Sequence, residues 1–314
     1  MAQSTQRDPQ AIYAEALHFE AHGDFGSALR LIEQLLLVIP ENVSLREKRA
    51  AYLLYLEDFI RSIEAFRSLL SLDPSNPGYA SNLSIGLSRR QDFEQAVSAC
   101  KRALSLKPDY GFAYNNLGGA LREQGNIETA RSSYLRGTLV SPQNALFQWG
   151  LSIVSLMLGD FERGWPLYEA GLQCGERFPR SFNSPQWPGG QRLEGKTLLV
   201  HSEQGFGDSI QMSRYLLAPE LAQTEVILEV EDALFPLLSD LRSGLSLIKK
   251  GTQPPHHDYH CPMMSLPLGF QTTLSSIPHQ TPYLKVRREK RLAWRDRLGV
   301  ASKFRIGIAW SGNQ

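Results

Sequence analysis

The residues best placed to do chemistry lie in positions 197–215, TLLVHSEQGFGDSIQMSRY. A short apolar run (Leu198, Leu199, Val200) leads into a turn with two glycines, Gly205 and Gly207, followed by Asp208. The spacing predicts strand, tight loop and helix, with Asp208 at or near the N-cap and Ile210, Met212, Tyr215 and Leu216 on the apolar face. Glycines in such a turn let a ligand approach the backbone, and the carboxyl end of a strand is where open α/β sheets put their ligands. Asp208 has two readings. As a helix cap it accepts amide hydrogen bonds, which makes it a weak base; with its second oxygen free to a cleft it can take a proton. A dinucleotide fingerprint fails because Ile210 stands where the third glycine belongs, and the lysine of a phosphate-binding P-loop is missing.

A second cluster, His256, His257, His260 and Cys261, puts four potential ligands within six residues. No second cluster completes a tetrahedral set, and His201 could join only through folding, so the expectation is a polar loop without metal. Ser202 and Ser209 flank the glycine turn without a G-x-S-x-G elbow, which argues against a serine hydrolase. The balance of 33 basic and 32 acidic residues gives a net charge of +1 and no reason to expect nucleic acid or an anionic membrane as partner. The basic stretch 285–297 reads as the solvated face of a helix. The three cysteines, Cys100, Cys174 and Cys261, are widely separated and odd in number, which suits a reducing compartment. The N-terminal residues carry no secretory apolar segment and apolar runs such as 35–39 are too short to span a bilayer, so a cytoplasmic location is expected.

The elements that must position these residues begin with a repeat. Asp24, Asp58, Asp92, Asn126 and Asp160 fall 34 apart, as do Pro40, Pro74, Pro108 and Pro142. Small residues recur at Ala28, Ser62, Ala96, Ala130 and Gly164, and again at Ala16, Ala50, Ser84, Gly118 and Ser152, where two helices would approach closely. Phe66, Tyr134 and Tyr168 are sized to fill the space between repeats, the acidic positions to cap second helices, and the prolines to end each pair. This pattern resembles tetratricopeptide repeats over five units, at 9–40, 43–74, 77–108, 111–142 and from 145 to about 177. The fifth departs from the pattern, with Trp165-Pro166 after Gly164 and no proline at the periodic position. Solenoids of this kind present an extended concave surface to a peptide or protein. Asn82 and Asn116 share one position on the first helix. That placement resembles the asparagine ladder of tetratricopeptide-bearing O-GlcNAc transferases, which implies peptide binding there. Ala14, Lys48 and Gly150 occupy the equivalent positions in the other units, and solvated or capping asparagines are the alternative reading.

After the array, 179–196 has the Pro/Gly-rich composition of a linker, with Trp187 as its one large apolar anchor. Beyond the first strand, 225–230 (EVILEV) and 245–248 read as further strands, 232–241 and 287–298 as helices, and 254–270 as loop, short strand, loop. Residues 304–310 (FRIGIAW) read as another buried strand, pairing either back onto the first sheet or, as favoured here, opening a second domain. The alternation predicts a parallel sheet.

Several islands in this half occur in a family's order: 195–200, 203–208, Arg214-Tyr215, Asp258 with Cys261-Pro262, 265–267, 282–284, Trp294 and 307–313. They resemble the N-terminal domain of tetratricopeptide-containing glycosyltransferases related to the bacterial heptosyltransferases, of GT-B fold. The resemblance implies an α-helical solenoid (1–178), a linker (179–196), a Rossmann-like α/β domain (197–302) and the first strand of a truncated second domain (303–314). It implies inverting, metal-independent transfer of a sugar from a nucleotide-sugar donor to an acceptor hydroxyl, with no further cofactor. Asp208 would be the base, Gln204, Gly205 and Gly207 would lie beside the substrate, and Ser311, Gly312 and Asn313 toward the donor. The second domain, which would hold most of the donor, is represented only by its first strand. The other class of function open to the chain is a non-catalytic scaffold that binds protein through its repeats.

Overall fold

The structure, a computed structural model, describes residues 8–300 together with Phe304 and Ile306. It divides into two compact units, the first ending at Pro179 and the second beginning at Arg180.

The first unit is five two-helix repeats: α1 (Pro9–Ala21) with α2 (Phe25–Val38), α3 (Val43–Tyr55) with α4 (Phe59–Leu72), α5 (Pro77–Arg89) with α6 (Phe93–Leu106), α7 (Gly111–Glu123) with α8 (Ile127–Val140), and α9 (Ala145–Met157) with α10 (Phe161–Tyr168). Every helix begins 34 residues after its counterpart in the previous unit, so the sequence period is carried directly into the backbone. The joint inside each repeat is the same as well. Gly23, Glu57, Gln91, Gly125 and Gly159 all have a left-handed φ, between 59° and 81°, which turns the chain between the helices. Glycine adopts that conformation freely, whereas Glu57 and Gln91 hold it against their own Cβ. The next residue caps the second helix: Asp24, Asp58 and Asp160 accept the amide of Ser27, Arg61 and Arg163. Backbone and side-chain bonds from Ser27 hold the Asp24 carboxyl below its ordinary range.

Packing follows the large-against-small pattern of the sequence. Phe66, Tyr134 and Tyr168 are buried, and Tyr134 lies between two glycines on first helices. A Cβ on Gly118 would stand 2.7 Å from the Tyr134 ring, and one on Gly150 only 2.2 Å from it. Cys100 occupies the corresponding position one repeat earlier; it is wholly buried, and burial pushes its thiol up to about 11, so it is inert packing. The fifth repeat ends differently. α10 stops at Tyr168 with Pro166 inside it, and the short α11 (Gly171–Cys174) follows. Arg177 folds back fully buried, its guanidinium 4.9 Å over the Tyr168 ring and 2.8 Å from Glu169 Oε1.

Among the described residues, the second unit has four parallel strands, β1 (Thr197–His201), β2 (Glu225–Val230), β3 (Leu245–Lys249) and β4 (Tyr259–Pro262), in the order β3-β2-β1-β4. Its helices are short: α12 (Phe206–Met212), α13 (Phe235–Leu238), α14 (Leu266–Gly269) and α15 (Arg288–Leu298). The helix expected to run past Tyr215 ends at Met212 and continues as a 3₁₀ turn, Ser213–Leu217. The helix expected at 232–241 is a 3₁₀ turn plus α13.

The stretch 179–196, expected as a linker with Trp187 as its apolar anchor, lines up along the sheet edge at Gln186. From Arg180 on it belongs to the second unit, and Trp187 and Leu193 are buried. Gln186 pairs with His260 in parallel, extending the sheet beyond β4: His260 donates to Pro185 O and Trp187 to His260 O. The Trp187 ring packs on Phe270, and Phe270 on Tyr215. Asp258 fixes the start of β1 by accepting from the Thr197 amide at 2.9 Å, which together with Lys196 lowers its pKa. The strand expected at 304–310 lies outside the described residues apart from Phe304 and Ile306. Among the described residues, no helix is long and apolar enough to cross a membrane.

Candidate functional site

The first candidate is the face built by the first helices of the array. Asn116 does not stand free there. Its amide reaches back one repeat to the Ser81 carbonyl (3.2 Å) and hydroxyl (3.1 Å), tying α7 to α5. Asn82 is half-buried on α5. Beside Asn116 a cleft of about 430 Å³ opens between α5 and α7, lined among others by Arg89, Asn115, Gly119, Arg122 and Tyr134. The Asn115 side-chain oxygen is buried without a hydrogen-bond partner. Arg122 is paired with its neighbour Glu123 at 2.6 Å. Asn115, Arg89 and Arg122 were not singled out by the sequence reading. They meet only when α5 and α7 lie side by side, which no local pattern in the sequence announces.

The second candidate is the turn after β1. The strand order reverses between β1 and β4, so this turn leaves the sheet at a topological switch point. The Ser202 amide prolongs the ladder to the Glu229 carbonyl, and its hydroxyl lies 3.3 Å from Glu231, which Lys250 also holds. Gly205, not Asp208, is the N-cap of α12. Asp208 is the third helical residue and its Oδ2 accepts from the Gly205 amide at 3.2 Å. That is half of a capping box, because glycine has no side chain to return the bond. Neither Gly205 nor Gly207 has a left-handed φ, and a Cβ on Gly207 would meet nothing within 4 Å. The chain's own packing therefore does not demand these glycines. Gln204 is half-buried and Phe206 half-exposed beside them. Ser311, Gly312 and Asn313 lie outside the described residues.

The histidines come together differently from their sequence cluster. His201 and His260 share one face of the sheet, since His260 pairs with Leu199 two residues before His201. Cys261, the next residue, faces the other way. Phe182 packs on both histidines, at ring distances of 5.0 and 4.7 Å, and edge-on to His257. Arg180 stacks on Phe182 and pairs at 2.6 Å with Glu229, which is fully buried on β2. Burial first, then the charges of His257 and Arg180, lowers the His260 pKa. Among the described residues no three metal-ligating side chains gather into a site. Arg180 and Glu229 were missed by the sequence reading. Glu229 is visible in hindsight as a charge that follows three apolar residues in β2, where the other glutamate, Glu225, is exposed at the strand's start.

Comparison with known proteins bears on the helical half. A family model described as tetratricopeptide repeat matches residues 13–77 and 82–141. Among solved structures, the chain is similar to TTC0263, a thermophilic TPR protein of Thermus thermophilus (20% identity, 53% of this chain and 91% of that one, TM-score 0.47). It is similar as well to MamA of Desulfovibrio magneticus RS-1 (14%, 55% and 96%, TM-score 0.43) and to PilW, a type IV pilus biogenesis factor (21%, 55% and 80%, TM-score 0.46). Comparison with curated protein sequences gives no match. Within the helical half, residues 13–77 and 82–141 carry tetratricopeptide repeats.

Proposed function

We propose that the chain is a protein-binding scaffold whose array holds an extended segment of a partner along its first-helix face. The observation that carries this reading is the unbroken register of five two-helix units with one repeated joint. Stacked units of this kind form a continuous binding surface and have little capacity for chemistry of their own. The test is selection of random displayed peptides on the full chain, followed by hydrogen exchange with the best binder. Protection is expected in α5 and α7 rather than α6 and α8. Protection confined to the second helices or to the second unit would refute the reading.

A second reading is favoured by the unforced glycines at the switch point. In it the chain is part of a glycosyltransferase that moves a sugar from a nucleotide sugar to an acceptor hydroxyl. Asp208 would accept the hydroxyl proton, Gln204, Gly205 and Gly207 would border the substrate, and Ser311, Gly312 and Asn313 would serve the donor. The Gly205 amide is bound to Oδ2 and leaves Oδ1 for that task. Incubation with a panel of nucleotide sugars and hydroxyl acceptors tests it. Transfer that Asp208→Asn abolishes without lowering the melting temperature supports it, and transfer unchanged in that variant removes Asp208 from the role.

A further inference from the structure

Away from the face that carries Asn82 and Asn116, a cavity of about 640 Å³ opens between the second helices α2 and α4, with Arg46 and Arg49 of α3 in its lining. The repeat step of 34 shows what is unusual there. Arg49 stands where the next three repeats place Leu83, Leu117 and Leu151, all buried. Ser68 stands where the next repeat places Arg102, whose Nη2 crosses to the Pro74 carbonyl at 3.0 Å. Serine is too short for that span, and the equivalent carbonyl, of Pro40, is taken at 2.6 Å by Arg46 Nε. At this cleft a guanidinium replaces an apolar plug, and the arm that would cover it is missing.

The lining combines charge with apolar surface. Arg30, Arg46 and Arg49 face a single carboxylate in it, Glu33, and Leu36, Leu37 and Leu69 lie beside them. Glu33 Oε1 already accepts from Arg49 Nε at 3.1 Å and from Arg61. Both terminal amino groups of Arg49 stay outside that bond, and Arg30 gives Nη2 to Ser27 Oγ. Glu41 pairs with Arg46, Asp58 with Arg61, and Asp24 acts on Arg30, all from outside the lining. Leu37 is 85% exposed at the opening.

Excess positive charge beside exposed leucine describes an amphipathic anion. We propose that this cleft binds a small organic anion, its carboxylate or phosphate head held by Arg49 and Arg30 and its hydrocarbon body laid on Leu36, Leu37 and Leu69. Guanidinium forks match either head with paired hydrogen bonds, and the cavity falls within the range of small-molecule pockets, about 300–1,000 Å³. A ligand seated there bridges α2 and α4 and fastens the first repeat to the second. The site goes beyond the scaffold reading and does not depend on it.

Isothermal titration of the full chain at constant ionic strength tests this with octanoate, octyl phosphate, octanol and acetate. One of the two long-chain anions is expected to bind at least about tenfold more tightly than octanol or acetate, and the better of them names the head. Arg49→Leu introduces the residue that three other repeats carry, so the helices should hold while the anion binds at least about tenfold more weakly. Leu37→Gln, at an exposed position, should weaken it about fivefold by removing apolar contact. Melting curves check that both variants are folded. In the wild type the bound anion should slow hydrogen exchange in α2 and α4. Octanol or acetate binding as tightly as the anion, binding unchanged in either variant, protection confined to other elements, or no binding of either anion overturns the proposal and leaves the scaffold reading standing.

Discussion

Replacing Gly150 with alanine is a sharp test of how the array is packed. In a helix interior the change by itself should stabilise, since alanine is favoured over glycine by about 1 kcal/mol. Here the new methyl would sit 2.2 Å from Tyr134 Cε1 and 2.5 Å from Cδ1, well inside contact distance. The ring cannot retreat, because it is buried and backed by Gly118 on the other helix. Overpacking of this kind costs about 1–3 kcal/mol, and so short a contact belongs at the upper end. The balance is a net loss of about 2 kcal/mol, read as a lower urea midpoint by far-UV circular dichroism, which the helices dominate. Gly119 is the internal control. Its Cβ would stand 3.5 Å from the Tyr134 hydroxyl, so Gly119→Ala should stabilise by about 0.4–1 kcal/mol. A smaller side chain should relieve the clash: in a Tyr134→Leu background the Gly150→Ala penalty should fall by at least about 1 kcal/mol. If Gly150→Ala matches or exceeds the wild type, or both glycine variants shift the midpoint the same way, the wedge account is wrong.

Three further outcomes follow from the structure. Arg177→Met, which removes a buried guanidinium from Glu169 and Tyr168, should cost about 2 kcal/mol and speed hydrogen exchange in α9 and α10 before the rest of the array. Glu57→Gly and Gln91→Gly should each stabilise by about 0.5 kcal/mol, because relief of a left-handed backbone outweighs the added freedom of the unfolded chain; lower melting temperatures in both would contradict this. The pKa of His260 lies below its ordinary 6.5, so the unfolded chain binds that proton more readily. Its contribution is therefore complete above about pH 6.5 and is lost as pH falls through the depressed value. Exchange of the β4 amides, corrected for intrinsic rate, should accelerate over that window, and His260→Gln should flatten the response.

The helical half was legible because its period is redundant: acidic positions, prolines and small residues all keep the step of 34, and each helix starts where that step places it. Even there one signal went unread. Gly23, Gly125 and Gly159 mark the left-handed joint, but Glu57 and Gln91 hide it. The second unit was harder because its information is long-range. Nothing local in a Pro/Gly-rich stretch says that Trp187 will rest on Phe270, or that 185–187 will line up beside β4. Three strands were found from short apolar runs, of which only 225–230 is rich in β-branched residues, and β4 only as an unplaced short strand within 254–270, while short helices were overextended where 3₁₀ turns intervene. At the candidate sites, Asp208 was placed near its helix start but the capping residue proved to be Gly205. Arg89 and Asn115 could be found only once α5 and α7 lay side by side.

The identical joint in every repeat also bears on how such an array can change over generations. Because the turn, its left-handed residue and the helix start recur at the same phase, insertion or excision of 34 residues rejoins equivalent positions. Length is then a variable that moves in whole steps, each adding or removing one strip of recognition surface. A change of any other size would put a helix interior where the joint belongs and would have to be repaired before the chain could stack again. Recombination between copies is thus a route by which the reach of the surface can be altered while its local geometry is preserved.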